Sequence, residues 1–169
     1  MRTGEESPLR IVAYCCHYCA YAAADLAGVL RLAYPGEPHI VELPCTGRID
    51  PLEVLRAFEA GADGVMVAGC LEGDCHFRAG NLNARRRVEH IRWLLERTGI
   101  EPERIEMVNM SSAMGRQFAE AATRITERVR SLGPSPLRRD RSSQPNAPTS
   151  APPHPGSGAG SAAGGGTYD

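Results

Sequence analysis

The sequence predicts a doubly wound α/β domain on a four-stranded parallel sheet, and three observations predict it. Four short, mostly apolar segments are spaced along residues 9–108, the third almost continuously apolar, as strands covered on both faces are. Segments with helical periodicity separate them. Cysteines follow the first three segments directly, so a shared sheet edge would gather them. Strand and helix alternating through short links imply right-handed crossovers and helices on both faces. A flavodoxin-like strand order, 2-1-3-4, makes strands 1, 2 and 3 neighbours, with their carboxyl ends at the switch point where such sheets bind ligands. A dinucleotide-binding unit would carry a Gly-rich fingerprint after its first strand, and cysteines stand there instead.

Residues 1–8 read as a flexible N-terminus, and Leu9-Arg10-Ile11-Val12-Ala13-Tyr14 is the first strand. An Ala-rich helix follows over about residues 22–33, with Leu26, Val29 and Leu30 turned inward. His39-Ile40-Val41-Glu42-Leu43 is the second strand. The next helix has a well-marked start: Asp50 caps it, Pro51 suits the first helical position and Glu53 can reach back as in a capping box. Val54, Leu55 and Phe58 form its apolar stripe, and Gly61 ends it. Gly64-Val65-Met66-Val67-Ala68 is the third strand, followed by a helix over about residues 82–97 with Val88, Ile91, Leu94 and Leu95 on one face. The fourth strand is Arg104-Ile105-Glu106-Met107-Val108. A last helix, capped by Ser111 or Ser112, spaces Met114, Phe118, Ala122, Ile125 and Val129 on one side.

Residues 9–132 thus make one α/β domain. From Gly133 onward the chain turns to Pro, Gly, Ser and Ala around a short basic knot, Arg138-Arg139-Asp140-Arg141. Almost nothing there can be buried to offset the entropy of ordering, so residues 133–169 read as a disordered tail whose removal leaves folding intact. The formal charge of −1 gives no global attraction to nucleic acid or membrane. No run approaches a membrane span, and the N-terminus lacks the apolar stretch of a secretory leader. The expected location is cytoplasmic, where thiols stay reduced and paired cysteines bind metal or do redox chemistry.

The cysteines carry the chemistry. Cys16 and Cys19 form a C-x-x-C pair, which suits one metal, one cluster iron or a thioredoxin-type dithiol. Cys70 and Cys75 add a second pair across a Gly-containing loop, and Cys45 follows the second strand. Two pairs supply four thiolates, enough for Zn²⁺ or an iron–sulfur cluster. Strand alternation sends Cys15 to the opposite side from Cys16 and assigns it to packing.

Four runs carry a family resemblance: Cys16-x-x-Cys19-x-Tyr21-x-x-Ala24-Asp25-Leu26-Ala27-Gly28, Cys45-Thr46-Gly47-Arg48-Ile49-Asp50-Pro51, residues 61–70, and Gly73-Asp74-Cys75-His76. Occurring in order over about residues 10–132, they resemble the delta subunit of methyl-viologen-reducing hydrogenase. The resemblance implies a small iron–sulfur subunit with a [2Fe–2S] cluster, linking a nickel–iron hydrogenase or formate dehydrogenase to the flavin subunit of heterodisulfide reductase. Ala23 stands where the family pattern has glycine, and His17-Tyr18 where it has Asn-Trp. Neither change removes a ligand.

Spacing does not fix which four cysteines ligate. Cys16, Cys19, Cys70 and Cys75 are the preferred ligands, with Cys45 near enough to substitute or to touch the cluster. Backbone amides near Gly47, Gly69 and Gly73 are placed to donate to sulfur. His17 and His76 flank cysteines, but a Rieske-like site needs two His, and cysteines already suffice. Tyr14, Tyr18 and Tyr21 read as shields, and Asp25 with Arg48 as a structural pair. Arg85, Arg86, Arg87, Arg92 and Arg97 read either as a docking face for an acidic partner or as a solvated helix side. The function expected is a non-catalytic electron-transfer subunit. The alternatives are a zinc-stabilised binding module and a dithiol or persulfide redox protein.

Overall fold

In the computed structural model, which describes residues 8–138, β1 (Ile11–Cys16), β2 (Pro38–Leu43), β3 (Gly64–Gly69) and β4 (Ile105–Asn109) form one parallel sheet ordered β2-β1-β3-β4. Val12 is level with His39 on one side and Val65 on the other, and Val67 with Met107. Helices α1 (Ala22–Val29) and α4 (Gly115–Leu132) cover one face, where Ala23, Ala27, Phe118, Ala122 and Ile125 pack on Ile11, Ala13, Cys15, Met66 and Ala68. Helices α2 (Pro51–Glu59) and α3 (Gly80–Arg97) cover the other, where Val54, Phe58, Val88, Ile91 and Leu95 pack on Val65, Val67 and Ile105. The expected architecture and strand order are those observed.

Local chemistry accounts for most element ends. Asp50 Oδ1 accepts from the Leu52 amide at 2.9 Å, so α2 starts where its cap predicts. Gly61, at φ 98°, takes the left-handed turn that ends it. Two expectations fail on side-chain size. Val29 and Leu30 are 71% and 56% exposed, and the inward face of α1 is Ala23, Ala24 and Ala27. The cause is Gly115, the first residue of α4, which lies so near that a Cβ there would stand 2.9 Å from the Ala27 nitrogen. The backbone of α1 and the Leu26 side chain press directly on Gly115, and alanines line the rest of the inward face of α1. Helix α4 starts at Gly115 after Met114, so neither Ser111 nor Ser112 caps it, and the Ser111 amide instead meets Met114 Sδ at 3.2 Å.

The amino end of the sheet is closed by buried charge. Asp63, just before β3, accepts from the Arg10 and Ser135 amides, each at 2.9 Å, and pairs with the Arg138 guanidinium. Arg104, just before β4 and fully buried, donates to the carbonyls of Asp63 at 3.0 Å and Gly133 at 2.9 Å and pairs with Glu101 at 2.7 Å. Ser135 is buried and Leu137 packs on the core. Residues 133–138, read from composition as the start of the tail, are therefore part of the domain. Their anchoring is polar and long-range, which a count of apolar residues does not register. Residues 1–7 and 139–169, where the flexible N-terminus and the rest of the tail were expected, lie outside the described residues.

Candidate metal centre

The site grows from three strand ends. β1 finishes at Cys16 and runs into a single wide turn, His17–Tyr21, which carries Cys19 back beneath the sheet edge. After β2, Cys45 is held extended and its Sγ accepts the Gly47 amide at 3.3 Å. After β3 come Cys70 and a loop that turns at Gly73 (φ 86°), presents Cys75 and enters α3 at Gly80. Because β1 lies between β2 and β3, all five thiols gather at one edge, and each is buried.

They gather in two groups. Cys16, Cys19 and Cys70 place their sulfurs within 4.8 Å of one another, with Cys16 and Cys70 at 3.7 Å. Cys45 and Cys75 stand 4.0 Å apart. Among the described residues no fourth ligand joins the first group at that mutual distance, and no His does. Cys15 is fully buried in the core under α1 and α4, and burial pushes its thiol up to about 12. It is a packing residue.

Hydrogen-bond donors surround the sulfurs. The Cys19 thiol, the Tyr18 amide, the Cys70 thiol and the Thr46 amide together draw Cys16 down to about 5, against the opposing effect of burial. Cys19, as donor to Cys16, is pushed up, and burial adds to the shift. Burial raises Cys70 and lifts Cys45 to about 11. It also acts to raise Cys75, but the amides of Asn81, Phe77 and Gly80 and the Cys45 thiol outweigh it and lower the group. A nest of amides on soft sulfur favours anionic, metal-bound thiolate. Of the three glycines singled out in the sequence, Gly47 bonds a sulfur directly. Gly69 makes room for Thr46, and Gly73 serves the turn.

Glycines also keep space clear. A Cβ at Gly80 would lie 2.3 Å from Cys45 Sγ and 3.1 Å from Cys75 Sγ, and one at Gly47 would lie 2.6 Å from the Gly80 Cα. Five buried thiols, amide donors and a floor of glycine fit a thiolate-bound metal centre. A single tetrahedral ion would need four sulfurs mutually about 3.8 Å apart, given a metal–sulfur distance of about 2.3 Å. The division into three and two fits a centre with more than one metal.

The loops are braced by side chains that the sequence did not mark. Buried Asn81 donates to the Cys70 carbonyl at 3.0 Å and the Leu71 carbonyl at 2.7 Å, and Asn109 donates to Cys70 O at 2.5 Å. Arg87 donates to the carbonyls of Gly47 at 2.6 Å and Ile49 at 2.8 Å, bracing the Cys45 turn. The arginine stretch is thus largely engaged within the chain: Arg92 bonds Ile105 O, Arg85 pairs with Glu72, and Arg97 lies 4.5 Å over the Trp93 ring. Asn81→Ala should cost about 1 kcal/mol by removing two buried side-chain hydrogen bonds, although the Leu71 carbonyl keeps the Asp74 amide and the Cys70 carbonyl keeps Asn109. Urea unfolding of the metal-free variant measures this, and an unchanged midpoint would show that the brace is idle.

His17 bonds Glu42 at 2.5 Å on the surface, and His76 stacks on Tyr18 with ring centroids 4.1 Å apart. Tyr18 and Tyr21 are exposed, while Tyr14 is half-buried against the second core face. Asp25 lines a shallow groove with Tyr21, Val29 and Ile40. No ion pair joins it to Arg48 among the described residues, so the expected structural pair is absent.

Comparison with known proteins agrees with this geometry. The family described as methyl-viologen-reducing hydrogenase, delta subunit, matches residues 11–133. The chain belongs to that family. It is 48% identical over 128 residues to the iron-sulfur subunit of the vhu F420-non-reducing hydrogenase of Methanocaldococcus jannaschii, covering 76% of this chain and 96% of that one. It is 44% identical over 135 residues to the F420-non-reducing hydrogenase iron-sulfur subunit of Archaeoglobus profundus, covering 80% and 98%. It is also 36% identical over 132 residues to one chain of the ferredoxin:CoB-CoM heterodisulfide reductase of Methanosarcina mazei, covering 77% of this chain but only 17% of that longer protein.

Proposed function

We propose that this delta-subunit family member carries a [2Fe–2S] cluster and relays electrons in a cytoplasmic complex. The relay runs between a hydrogenase or formate dehydrogenase and a flavin-containing, heterodisulfide-reductase-like subunit. The observation that carries the reading is the three-plus-two grouping of five buried thiols at one sheet edge. A bound [2Fe–2S] cluster supplies one-electron storage, and thiolate ligation with amide donors sets its potential. The chain's own contribution is to hold the sulfurs at the edge, line them with amides and exclude water by burial.

The comparisons support the partners. Relatives matched over 96% and 98% of their own length are named as hydrogenase iron-sulfur subunits, and a related segment forms part of a longer heterodisulfide reductase chain. Two proteins whose segments are joined in one chain elsewhere are natural neighbours as separate chains. Exposed apolar side chains supply a surface: Tyr18 and Phe77 beside the sulfur edge, and Tyr21, Val29 and Ile40 on the α1–β2 flank. Among the described residues no helix is long and apolar enough to cross a membrane.

Anaerobically purified protein should contain about two iron and two sulfide per chain, absorb in the visible and give a paramagnetic signal on reduction. A colourless protein holding one zinc would overturn the reading in favour of a zinc-stabilised module.

A further inference from the structure

The rings at the sulfur edge form a continuous strap. His17 and Tyr18 follow each other in the turn after β1 and reach opposite ways. His17 Nδ1 meets Glu42 Oε1 of β2 at 2.5 Å, whereas the Tyr18 ring lies on the His76 ring in the loop after β3, with centroids 4.1 Å apart and planes within 17° of parallel. Phe77 packs edge-on against both rings, 6.0 Å from Tyr18 and 5.3 Å from His76. The strap thus crosses the same three strand ends that carry the thiols. Among the described residues no main-chain hydrogen bond joins residues 17–21 to residues 71–79, so the rings supply the tie. They lie outside the sulfurs: Tyr18 is 46% and Phe77 52% exposed, and the five cysteines at most 8%.

Resting on the [2Fe–2S] reading, we propose that Tyr18 and His76 are positioning residues: by stacking, their rings hold the amides of both residues against the edge sulfurs and so set the reduction potential. The amides are in place. That of Tyr18 acts after the Cys19 thiol, and with the Cys70 thiol and the Thr46 amide, to lower Cys16. Burial raises Cys70, and the Cys19 thiol and the His76 amide act against it. The two receiving sulfurs stand 3.7 Å apart. An amide aimed at sulfur favours the more negative, reduced form, so a donor that drifts away lowers the potential. Four ligands drawn from five thiols include at least one of these two sulfurs, so the effect is expected for every choice of four. Each ring acts through the main chain beside it and replaces no thiol.

The test is the midpoint potential, with iron content and visible spectrum, of full-length variants purified anaerobically. Tyr18→Ala and His76→Ala should each lower the potential by the equivalent of a roughly tenfold weaker hold on the electron, about 59 mV for a one-electron couple. Tyr18→Phe and His76→Phe keep a ring on each side and should match the wild type. Because either alanine breaks the same contact, Tyr18→Ala/His76→Ala should shift no further than one of them alone. Tyr18→Leu keeps bulk without a ring and should shift like Tyr18→Ala. It decides the matter if the alanine variants lose their iron, and circular dichroism of the metal-free proteins identifies any variant that fails to fold. An unchanged potential in Tyr18→Ala or Tyr18→Leu overturns the proposal. So does a shift in Tyr18→Phe as large as theirs, iron lost from Tyr18→Phe and Tyr18→Leu alike, or a double variant whose shift is the sum of the two. A wild-type protein without iron sinks the underlying cluster reading instead, so the two failures are distinct.

Discussion

Gly80→Ala should strip the protein of its iron while leaving the fold standing. Gly80 opens α3, where alanine is the better helix former, so local propensity alone would predict a slightly more stable protein. The site gives the opposite answer. The added Cβ would stand 2.3 Å from Cys45 Sγ and 3.1 Å from Cys75 Sγ, and both thiols would have to swing away. Retreat toward Gly47 is closed, because its Cα lies 3.6 Å from the same point. Disturbing the surroundings of metal ligands commonly weakens retention about 10–100-fold, and displacing two candidate ligand thiols at once belongs at the upper end. Iron per chain and visible absorbance report the loss, and thermal unfolding of the metal-free protein reports the fold. Full iron in Gly80→Ala would mean that the Cys45–Cys75 pair lies outside the coordination sphere.

Truncation after Leu132 should be far more damaging than truncation after Arg138. The shorter chain loses the Ser135 amide and the Arg138 guanidinium from Asp63 and the Gly133 carbonyl from Arg104. Asp63 and Arg104 are fully buried, and a buried ion deprived of its partner typically costs about 3–5 kcal/mol. For a domain of this size that lowers the melting temperature by roughly 10 °C or more. In the longer truncation every one of these bonds survives, and stability should match that of the full chain. Asp63→Asn in both backgrounds isolates the charge: the substitution should matter less once Arg138 is gone. Equal melting temperatures for the two truncations would mean that the clasp contributes nothing.

The sheet was legible in the sequence because each strand is a short apolar run and the crossover rule leaves few orders. The thiol edge followed, since Cys16, Cys45 and Cys70 stand just where strands end. What stayed hidden depends on contacts between distant segments. Val29 and Leu30 look like core residues until Gly115 draws α4 against Leu26 and Ala27 of α1 and turns Ala23, Ala24 and Ala27 inward. Arg87 and Asn81 look like ordinary polar residues of a helix until the carbonyls they brace, at Gly47 and Cys70, are placed opposite them. Ser135 and Arg138 sit in a stretch whose composition predicts disorder, yet a single buried carboxylate at Asp63 holds them. The choice among five thiols was likewise open, because spacing along the chain does not encode the distance between Cys45 and Cys75.

The clasp at Asp63 also gives the molecule a polarity. It sits at the amino end of β3 and the thiols sit beyond its carboxyl end, six residues away, or about 20 Å at the rise of a strand. A chain leaving at Arg138 therefore departs from the pole opposite the sulfur edge. An electrode linker, a bead or a fluorescent domain joined there would hold the protein by its base with the sulfur edge turned outward. The same handle joined near residue 17 would sit against that edge. Orientation on a surface is thus set by the point chosen for attachment, and direct voltammetry of protein truncated after Arg138 and immobilised through that residue should show electron exchange with a soluble partner unhindered by the support.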